Sequence, residues 1–343
     1  MLASSKHKYS KTLAFPDTYY ELIINVLQSV ELFCAYEIKP NNKRFDEKNW
    51  DINEWRKEYP VDYFNLSAML VKPDEAILRD EVFKALYKSI RLYIPDTVYK
   101  YYSLDVSEKR DEENLDTLYK GKVYMSEIKG FNDPFDGRAF FYNPKELENI
   151  ERLKHCGGRL IDDFSEFVRV SCFTSNGVQS MPMWAHYANN HKGFCVAYDV
   201  RDSMDLKSCL FPVQYTNQRL DISSEMVRQV QKIVKSIDET HQKGNLVTML
   251  EDKTLIYLPQ LLYNIKHSSW SYEKEYRCII ASTANGMPFI DAKPKAIYIG
   301  RDCSDKNADC LFDIADEHEA KIYKMGFDDC VDSYELYYYE FYK

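Results

Sequence analysis

The sequence predicts an α+β fold that is preceded by a helical region. Two stretches before residue 95 carry apolar side chains at helical spacing, whereas short β-branched and aromatic runs begin after Pro95. These runs are mixed with helical stretches, without a regular strand–helix–strand repeat. The chain has 343 residues, of which 45% are apolar, so it can bury a sizeable core. We therefore expect a helical N-terminal region over residues 1–94 and an α+β domain over residues 95–343.

The N-terminal region is predicted to contain two helices. The first begins near Thr18 and has an apolar side chain at every third or fourth position up to about residue 34. The second runs from Pro73 or Asp74 to Tyr93, and Pro95 stops it because a proline disfavours helix in the residue before it. Both apolar stripes need a partner, and we expect them to pack on the domain that follows.

Six strands and three helices are predicted after Pro95. The strands are Thr97–Ser103, Val123–Ser126, Val168–Phe173, Gly193–Asp199, Glu275–Ala281 and Ala296–Gly300. The helices are 112–122, 224–242 and 247–265. Gly121 is a natural C-terminal stop for the first of these helices, and Pro259 is expected to kink the last.

Charge, cysteines and hydropathy limit the possible environments. A net charge of −9 argues against a broad electrostatic grip on a nucleic-acid backbone. The nine cysteines contain no Cys-x-x-Cys pair, and the seven histidines are not placed to complete a zinc site, so we expect reduced thiols and no metal. No signal peptide and no apolar run of about 18 residues are present. We therefore expect a cytoplasmic protein that does not enter a membrane.

The first motif with functional potential is FNDPFDG, residues 131–137. It crowds Asn132, Asp133 and Asp136 just after a predicted strand. One interpretation is a turn in which these side chains cap backbone groups. The other is contact with the hydroxyl or amide groups of a ligand.

The second motif, MWAHYANNHKGF, covers residues 183–194 and predicts a short helix, a glycine turn and a strand. Trp184 and Tyr187 share one helical face, whereas His186 points elsewhere. The two aromatic rings are either core residues, with His186 capping a neighbouring element, or an aromatic wall for a planar ring with a polar anchor beside it.

The third motif, WSYEKEYRCII, covers residues 270–280. Alternation along a strand would place Glu273, Glu275 and Arg277 on one side, and Tyr276 and Cys278 toward the core. The charged side is either a solvated edge with an ion pair of little energetic value, or a pair of catalytic carboxylates fixed on a rigid element.

Together and in this order, the segments YKYYS, GKVYMSEIKGFNDPFDG, MWAHYANNHKGFCVAYD, WSYEKEYRCII and AIYIG resemble the bacterial family catalogued as domain of unknown function 2971. The resemblance covers residues 97–301. The same order of elements is similar, more weakly, to the ADP-ribosyltransferase superfamily, which includes toxins of bacterial toxin–antitoxin and phage-defence systems. That similarity implies a small split β-sheet core.

The second resemblance also implies chemistry. In such enzymes the first strand carries an Arg or His that holds NAD, the middle motif packs the nicotinamide end, and a late Glu bonds the ribose. It therefore implies NAD as a substrate, a nucleic-acid or protein acceptor, and an antitoxin or defence-complex partner. Glu275 would be catalytic, and Glu273 would orient the acceptor. The residues expected to contact NAD are Lys100, Tyr101, Tyr102, Asn132, Asp133, Asp136, Trp184, His186, Tyr187 and Arg277.

Two alternatives remain open at this point. A metal-dependent phosphodiesterase or nuclease would use Asp133, Asp136, Glu273 and Glu275 as hard oxygen ligands. A non-catalytic binding module of a defence complex would need no turnover.

The enzyme interpretations share one geometric expectation. Tyr102, Asp136, His186 and Glu275 should converge on a single cleft, although they are separated by up to about 175 positions in the sequence.

Overall fold

A computed structural model describes residues 53, 56–57, 59–72, 74–105, 107–159, 168–244, 252–281 and 288–342. Its α-helices are α1 Tyr63–Val71, α2 Ala76–Ile90, α3 Lys109–Tyr119, α4 Pro144–Leu147, α5 Met181–Tyr187, α6 Met204–Cys209, α7 Ser223–Gln242, α8 Thr254–Leu262 and α9 Asp305–Glu317. In this part of the chain, no helix combines the length and the apolar character that crossing a bilayer requires.

The described strands confirm the α+β class. They are β1 Thr97–Tyr102, β2 Lys122–Tyr124, β3 Phe140–Phe141, β4 Val168–Thr174, β5 Phe194–Asp199, β6 Leu210–Pro212, β7 Gln214–Thr216, β8 Leu220–Asp221, β9 Ile265–His267, β10 Glu275–Ala281, β11 Phe289–Asp291, β12 Ala296–Ile299, β13 Lys321–Phe327 and β14 Leu336–Glu340. All six predicted strands are present, within one or two residues of their expected ends. The structure adds short strands and the C-terminal pair β13 and β14, for which no prediction was made.

The chain divides into two compact units, and neither is continuous in sequence. Unit 1 comprises the described residues of Met1–Tyr93, Phe135–Asp163 and Thr216–Lys266. Unit 2 comprises those of Ile94–Pro134, Phe164–Tyr215 and His267–Lys343.

Unit 1 is mainly helical. The predicted second N-terminal helix is confirmed as α2, which continues into a 3₁₀ turn at Arg91–Tyr93. Helix α7 matches the prediction, whereas α8 is shorter than expected and Ile265 already belongs to β9. Helix α1 was not predicted, although Asp62 gives the signal of an N-cap, because its side chain accepts hydrogen bonds from the backbone N–H groups of Phe64 and Asn65. The helix predicted near Thr18 lies outside the described residues.

A buried arginine connects four helices of unit 1. Arg79 on α2 is 1% exposed, and its guanidinium donates to Glu225 at 3.3 Å, Asp252 at 3.1 Å and Thr254 Oγ1 at 3.0 Å. It also donates to the carbonyl oxygen of Val71 at the end of α1. A charge this deeply buried is tolerated because acidic and polar partners surround it.

Asp80, next to this network, makes the stability of unit 1 sensitive to acid. A hydrogen bond from Tyr257, followed by the contact with Lys84, lowers the pKa of the Asp80 carboxyl to about 2. The folded pKa lies below the ordinary value of 3.8, so the stabilisation is present above about pH 4 and is lost as the pH falls toward 2. We expect Asp80→Asn to remove this pH dependence. The Asp80 charge contributes about 1 kcal/mol or less to the free energy of unfolding, because the site is partly solvated. Urea unfolding of the wild type and the variant at several pH values checks the prediction. If the free energy of unfolding varies with pH equally in both proteins, the prediction is contradicted.

Unit 2 contains a mixed eight-stranded sheet in the order β14-β13-β12-β5-β1-β4-β10-β6. This sheet is larger than a small split core. Neighbouring strands are antiparallel except β12 and β13, which are parallel. Strand β1 lies between β5 and β4, and β10 lies between β4 and β6, so two of the predicted motif strands are interior strands of the sheet.

The two faces of this sheet bury different cores. Val98, Tyr102 and Phe173 belong to one cluster, which also takes in residues of α3 and α9. Tyr101 and Cys195 belong to another cluster, in which residues of α5 pack. Successive side chains of a strand point to opposite faces, so the neighbours Tyr101 and Tyr102 contribute to different cores. We call these the α3 face and the α5 face.

Two glycines allow backbone segments of unit 2 to approach closely. A Cβ atom on Gly193 would lie 2.0 Å from the carbonyl oxygen of Tyr102, and one on Gly300 would lie 2.2 Å from that of His191. Both contacts are with backbone, which cannot rotate away. The glycines of the KGF and YIG segments are therefore required by packing around β5.

Gly193→Ala should lower the free energy of unfolding by about 3 kcal/mol, because the new methyl group forces β1 and β5 apart. Gly130→Ala is the matched control, since nothing lies within 4 Å of a Cβ atom built at that position. Urea denaturation of the two variants checks the prediction. Equal midpoints would show that the strands can separate at little cost.

Candidate functional site

Two acidic side chains meet the sheet at the start of β10. Glu275 is the first residue of β10, whereas Glu273 ends a 3₁₀ turn at Ser268–Glu273. Between them Lys274 adopts a left-handed conformation with φ 43°. The prediction that Glu273, Glu275 and Arg277 share one side of a single strand is therefore wrong in one respect. Glu273 does not belong to the strand, because the left-handed residue Lys274 interrupts the extended geometry.

Glu275 and Arg277 form a buried ion pair. The guanidinium Nε of Arg277 donates to Glu275 Oε1 at 2.8 Å, and Nη2 donates to Oε2 at 3.3 Å. The two residues are 4% and 0% exposed. The interpretation as a solvated edge is therefore wrong, because β4 and β6 pair with both sides of β10. Such a bidentate contact fixes the carboxylate in position.

The first motif reaches this pair through its aromatic residue. The guanidinium carbon of Arg277 lies 5.8 Å from the centre of the Phe131 ring, a distance at which a cation and an aromatic ring attract each other. Two of the three sequence motifs thus meet at Arg277.

Glu273 is held by the second motif. The hydroxyl of Tyr187 on α5 donates to Glu273 Oε1, and Glu273 is 3% exposed. Thr174 Oγ1 on β4 donates to the backbone carbonyl of Glu273 at 2.5 Å, which fixes the turn against the sheet. Burial, followed by the hydrogen bond to Glu273, raises the pKa of the Tyr187 hydroxyl, so Tyr187 is a hydrogen-bond donor at neutral pH.

Tyr215 was not predicted as a site residue. Its hydroxyl oxygen accepts a hydrogen bond from the backbone N–H of Glu275 at 2.8 Å. Burial, followed by the charge of Glu275, raises the pKa of its hydroxyl. No sequence signal could have identified it, because it is 60 positions away and lies outside the three motifs. We call Tyr187, Tyr215, Glu273, Glu275 and Arg277 the acid cluster.

Aromatic rings lie beside the acid cluster. The exposed ring of His186 is 6.4 Å from Tyr187 and 6.1 Å from the half-buried ring of Tyr272, both measured between centres. The half-buried ring of Trp270 is 6.2 Å from Tyr272. We call His186, Trp270 and Tyr272 the aromatic rim. Its rings are placed where a planar group could stack close to Glu273.

Trp184 has a structural position. It is fully buried on the α5 face, its indole N–H donates to the carbonyl oxygen of Val178 at 2.7 Å, and its ring packs edge-on against Tyr101 at 5.1 Å. Trp184 therefore belongs to the core beneath α5, as the first interpretation of the second motif expected, whereas Tyr187 reaches the acid cluster.

The two neighbours of Tyr101 in β1, Lys100 and Tyr102, lie on the α3 face. The hydroxyl of Tyr102 is 3.0 Å from that of Tyr198 on the α3 face. The ammonium of Lys100 donates to the carbonyl oxygen of Cys172 at 3.1 Å and lies 5.6 Å from the centre of the Tyr102 ring. Burial lowers the pKa of Lys100. Lys100 thus shares the side of the sheet on which Tyr102 lies.

The acid pair belongs to the opposite face. Glu275 pairs with Thr174, which in turn pairs with Tyr99, so these three residues point to the α5 face. The expected convergence of Tyr102 with Glu275 is therefore wrong, because alternation along β1 places Tyr102 on the α3 face. His186 does lie beside the acid cluster.

The acids of the first motif belong to different units. Asn132 is exposed, and Asp133 is buried in unit 2. Asp136 is buried in unit 1, where its carboxylate lies 3.8 Å from the ammonium of Lys266. Among the described residues, no group of three or more His, Cys, Asp or Glu side chains could hold a metal ion.

A cavity of about 270 Å³ lies elsewhere in unit 2, and no residue of the acid cluster lines it. Its charged lining includes Asp199 and Lys295, whose ammonium is 2.9 Å from Asp199 Oδ2. Hydrogen bonds from Arg201 and then Lys295 hold the pKa of the Asp199 carboxyl well below its usual range. These two lining residues are already paired with each other.

The comparison with known families agrees with the sequence resemblance over part of the chain. A model of the family described as "Protein of unknown function (DUF2971)" matches residues 183–278. This range includes the whole second motif and the acid cluster. No curated protein and no solved structure matched the chain.

Proposed function

We propose that the protein is an ADP-ribosyltransferase-like enzyme that uses NAD to modify a macromolecule. The observation that carries the proposal is the acid cluster, in which two buried carboxylates two residues apart are held by different partners. Arg277 holds Glu275, and Tyr187 holds Glu273. The weaker resemblance in the order of the motifs, with a Glu-x-Glu segment late in the chain, adds to it.

The proposed chemistry assigns different roles to the two carboxylates. The bond between the ribose and nicotinamide breaks with its electron pair leaving on nicotinamide, and positive charge develops on the ribose. Glu275 stabilises that charge, since a fixed carboxylate interacts more strongly with the transition state than with bound NAD. An oxygen or nitrogen of the acceptor then bonds to the ribose carbon, and Glu273 takes the proton that the acceptor loses.

The other residues position these groups. Arg277 and Tyr215 hold Glu275 at the start of β10, and Tyr187 keeps Glu273 oriented. In this proposal the nicotinamide ring stacks on the aromatic rim, whereas Tyr102 and Trp184, which were expected to contact NAD, belong to the cores of the sheet. Contact of Arg277 with a phosphate, and of Asn132, Asp133 and Asp136 with the nucleotide, remains a prediction. The expected contact of Lys100 with NAD is not part of the proposal, because Lys100 lies on the α3 face, on the opposite side of the sheet from the acid cluster.

The resemblance also suggests the biological setting. ADP-ribosyltransferases of this type include toxins of toxin–antitoxin and phage-defence systems, so the acceptor is proposed to be nucleic acid or protein. A neutralising antitoxin or another component of a defence complex is the proposed partner.

Transfer of label from NAD tests the proposal. The full chain is incubated with NAD labelled in its adenosine part and with RNA, DNA or protein acceptors, with and without EDTA. Transfer that survives EDTA and is unchanged in Glu112→Gln, an exposed acid on α3, supports the proposal. Nucleic-acid cleavage that requires a divalent metal and ignores NAD would overturn it in favour of a nuclease. If the protein neither consumes nor binds NAD, the proposal is overturned in favour of a non-catalytic binding module.

A further inference from the structure

The Tyr-rich strand β14 lies at one edge of the eight-stranded sheet. It pairs with β13 on one side, and no described strand pairs with its other side. Its three tyrosines, Tyr337, Tyr338 and Tyr339, are 45–48% exposed, and the flanking Tyr334 and Tyr342 are 94% and 75% exposed. Tyrosine side chains at this density are typical of a protein interface.

The opposite edge of the same sheet, strand β6, has features that disfavour pairing with another strand. Strand β6 has three residues and ends at Pro212, which has no N–H to offer. Strand β14 has five residues, LYYYE, with no proline, glycine or lysine and no break in its pairing with β13. Natural sheets rarely leave such an edge uncovered, because it presents a row of hydrogen-bonding groups to other strands.

The direction of these groups follows from one hydrogen bond. The N–H of Phe341 donates to the carbonyl oxygen of Ile322, so Phe341 points its backbone groups toward β13. Alternation along an antiparallel pair then directs the N–H and C=O groups of Leu336, Tyr338 and Glu340 toward the open edge. The carbonyl oxygen of Leu336 also accepts a hydrogen bond from the side-chain amide of Gln179 at 3.3 Å. The N–H and C=O groups of Tyr338 and Glu340 and the N–H of Leu336 are thus directed toward another strand.

The local charge argues against nucleic acid as the occupant. Residues 328–342 contain five acids and no lysine or arginine. Stacking of bases on tyrosines would place phosphates beside these acids, without the basic groove that single-strand binders use.

We propose that a second copy of this chain covers the edge, through antiparallel pairing of β14 with β14 of the partner about a twofold axis at Tyr338. This register pairs every residue of β14 with a residue of β14. Tyr338 meets its own copy, Leu336 meets Glu340, and Tyr337 meets Tyr339. Sequence positions Tyr334 and Tyr342 also face each other across the axis. No two acids stand directly opposite, and the pairing is isologous, as a closed dimer requires.

Proline at the axis separates pairing between copies from folding within one copy. Tyr338 directs its N–H to the open edge, so Tyr338→Pro removes no backbone hydrogen bond between β14 and β13. The substitution does remove the central backbone hydrogen bonds between the two copies. The matched control Tyr338→Val loses the same ring contacts with Tyr298 and Tyr323 and keeps the N–H. Sedimentation of the full chain should give twice the chain mass of 40.5 kDa for the wild type and the valine variant, and the single mass for Tyr338→Pro.

Disulfide cross-linking tests the register without disturbing the edge. Directly paired residues have Cα atoms about 5.5 Å apart, within the range of a disulfide bond, so Tyr338→Cys should form a covalent dimer on oxidation. Tyr337→Cys should not, because its partner is Tyr339. Both are made with Cys330→Ser, since Cys330 is exposed.

Several results would overturn the proposal. They are a wild-type chain of single mass at every concentration, a dimer that Tyr338→Pro leaves intact, or equal cross-linking at positions 337 and 338. Binding of a single-stranded oligonucleotide that depends on these tyrosines, by a chain of single mass, would replace the proposed dimer with base stacking.

Discussion

Glu275→Gln should reduce transfer of ADP-ribose by roughly 100-fold or more while NAD still binds. Glutamine keeps the shape of the side chain and one carbonyl acceptor but loses the negative charge. That charge is proposed to act on the positive ribose of the transition state, so the loss should appear in kcat and not in KM. Initial rates of label transfer over a range of NAD concentrations measure it, with Glu112→Gln as the exposed control.

The same substitution also disturbs the buried ion pair. Arg277 is fully buried and bonded to both oxygens of Glu275, so Glu275→Gln removes the negative charge of this ion pair and keeps the buried guanidinium. Breaking such a pair from one side costs about 3–5 kcal/mol. A loss of activity in the single variant could therefore come from a damaged fold.

A double variant separates the two causes. Glu275→Gln with Arg277→Met removes both charges and should regain most of the lost stability, because both members of the ion pair are replaced together. If Glu275 is catalytic, transfer remains absent in the double variant. Recovery of transfer together with stability would show that Glu275 is only structural, and full activity of the single variant would refute its role outright.

Arg79→Met should lower the stability of unit 1 by about 3–5 kcal/mol. The substitution leaves Glu225 and Asp252 facing each other without the guanidinium that lies between them. It also releases the carbonyl oxygen of Val71, so both charge pairing and a helix end are affected. The matched control is Arg152→Met, since Arg152 and its partner Asp238 are both about half exposed and such pairs contribute little.

Hydrogen exchange measures this effect within unit 1. Amide exchange in α1, α2, α7 and α8 should accelerate strongly in Arg79→Met and remain near the wild-type rate in Arg152→Met. Glu225 and Asp252 keep Arg228 and Lys232 as partners, so the added cost in Arg79→Met is the repulsion between the two carboxylates. Adding Glu225→Gln and Asp252→Asn should restore part of the protection, because that repulsion is gone. Unchanged exchange in the Arg79 variant would mean that the network contributes nothing net to stability.

The boundaries of many elements follow from local sequence alone. Alternating apolar and β-branched residues predicted β1, β4, β5, β10 and β12, and an apolar stripe predicted α2 and α7. Gly121 was expected to stop α3, and it adopts φ 66° just beyond that helix. Such features depend on neighbours within a few positions, and steric and hydrogen-bonding preferences act at that range.

Local pattern did not reveal which side chains meet. Lys100, Tyr101 and Tyr102 are consecutive in sequence, yet Tyr101 and Tyr102 belong to opposite faces of the sheet. Lys274 turns the chain by one left-handed residue, which removes Glu273 from the strand that its spacing suggested. Whether a charged strand lies at an edge or inside a sheet depends on its partners, and β10 has two.

What the sequence determined by itself was the α+β class, the helical or extended state of most segments, and the three motifs that carry the chemical groups. Only the tertiary structure decided that Glu275 and Arg277 are buried, that Tyr215 supports them, and that Asp136 belongs to a different unit from Glu275. The reason is that burial and pairing arise from contacts between segments tens to hundreds of positions apart. A window of sequence carries the propensity of each segment but not the identity of the segment that will cover it.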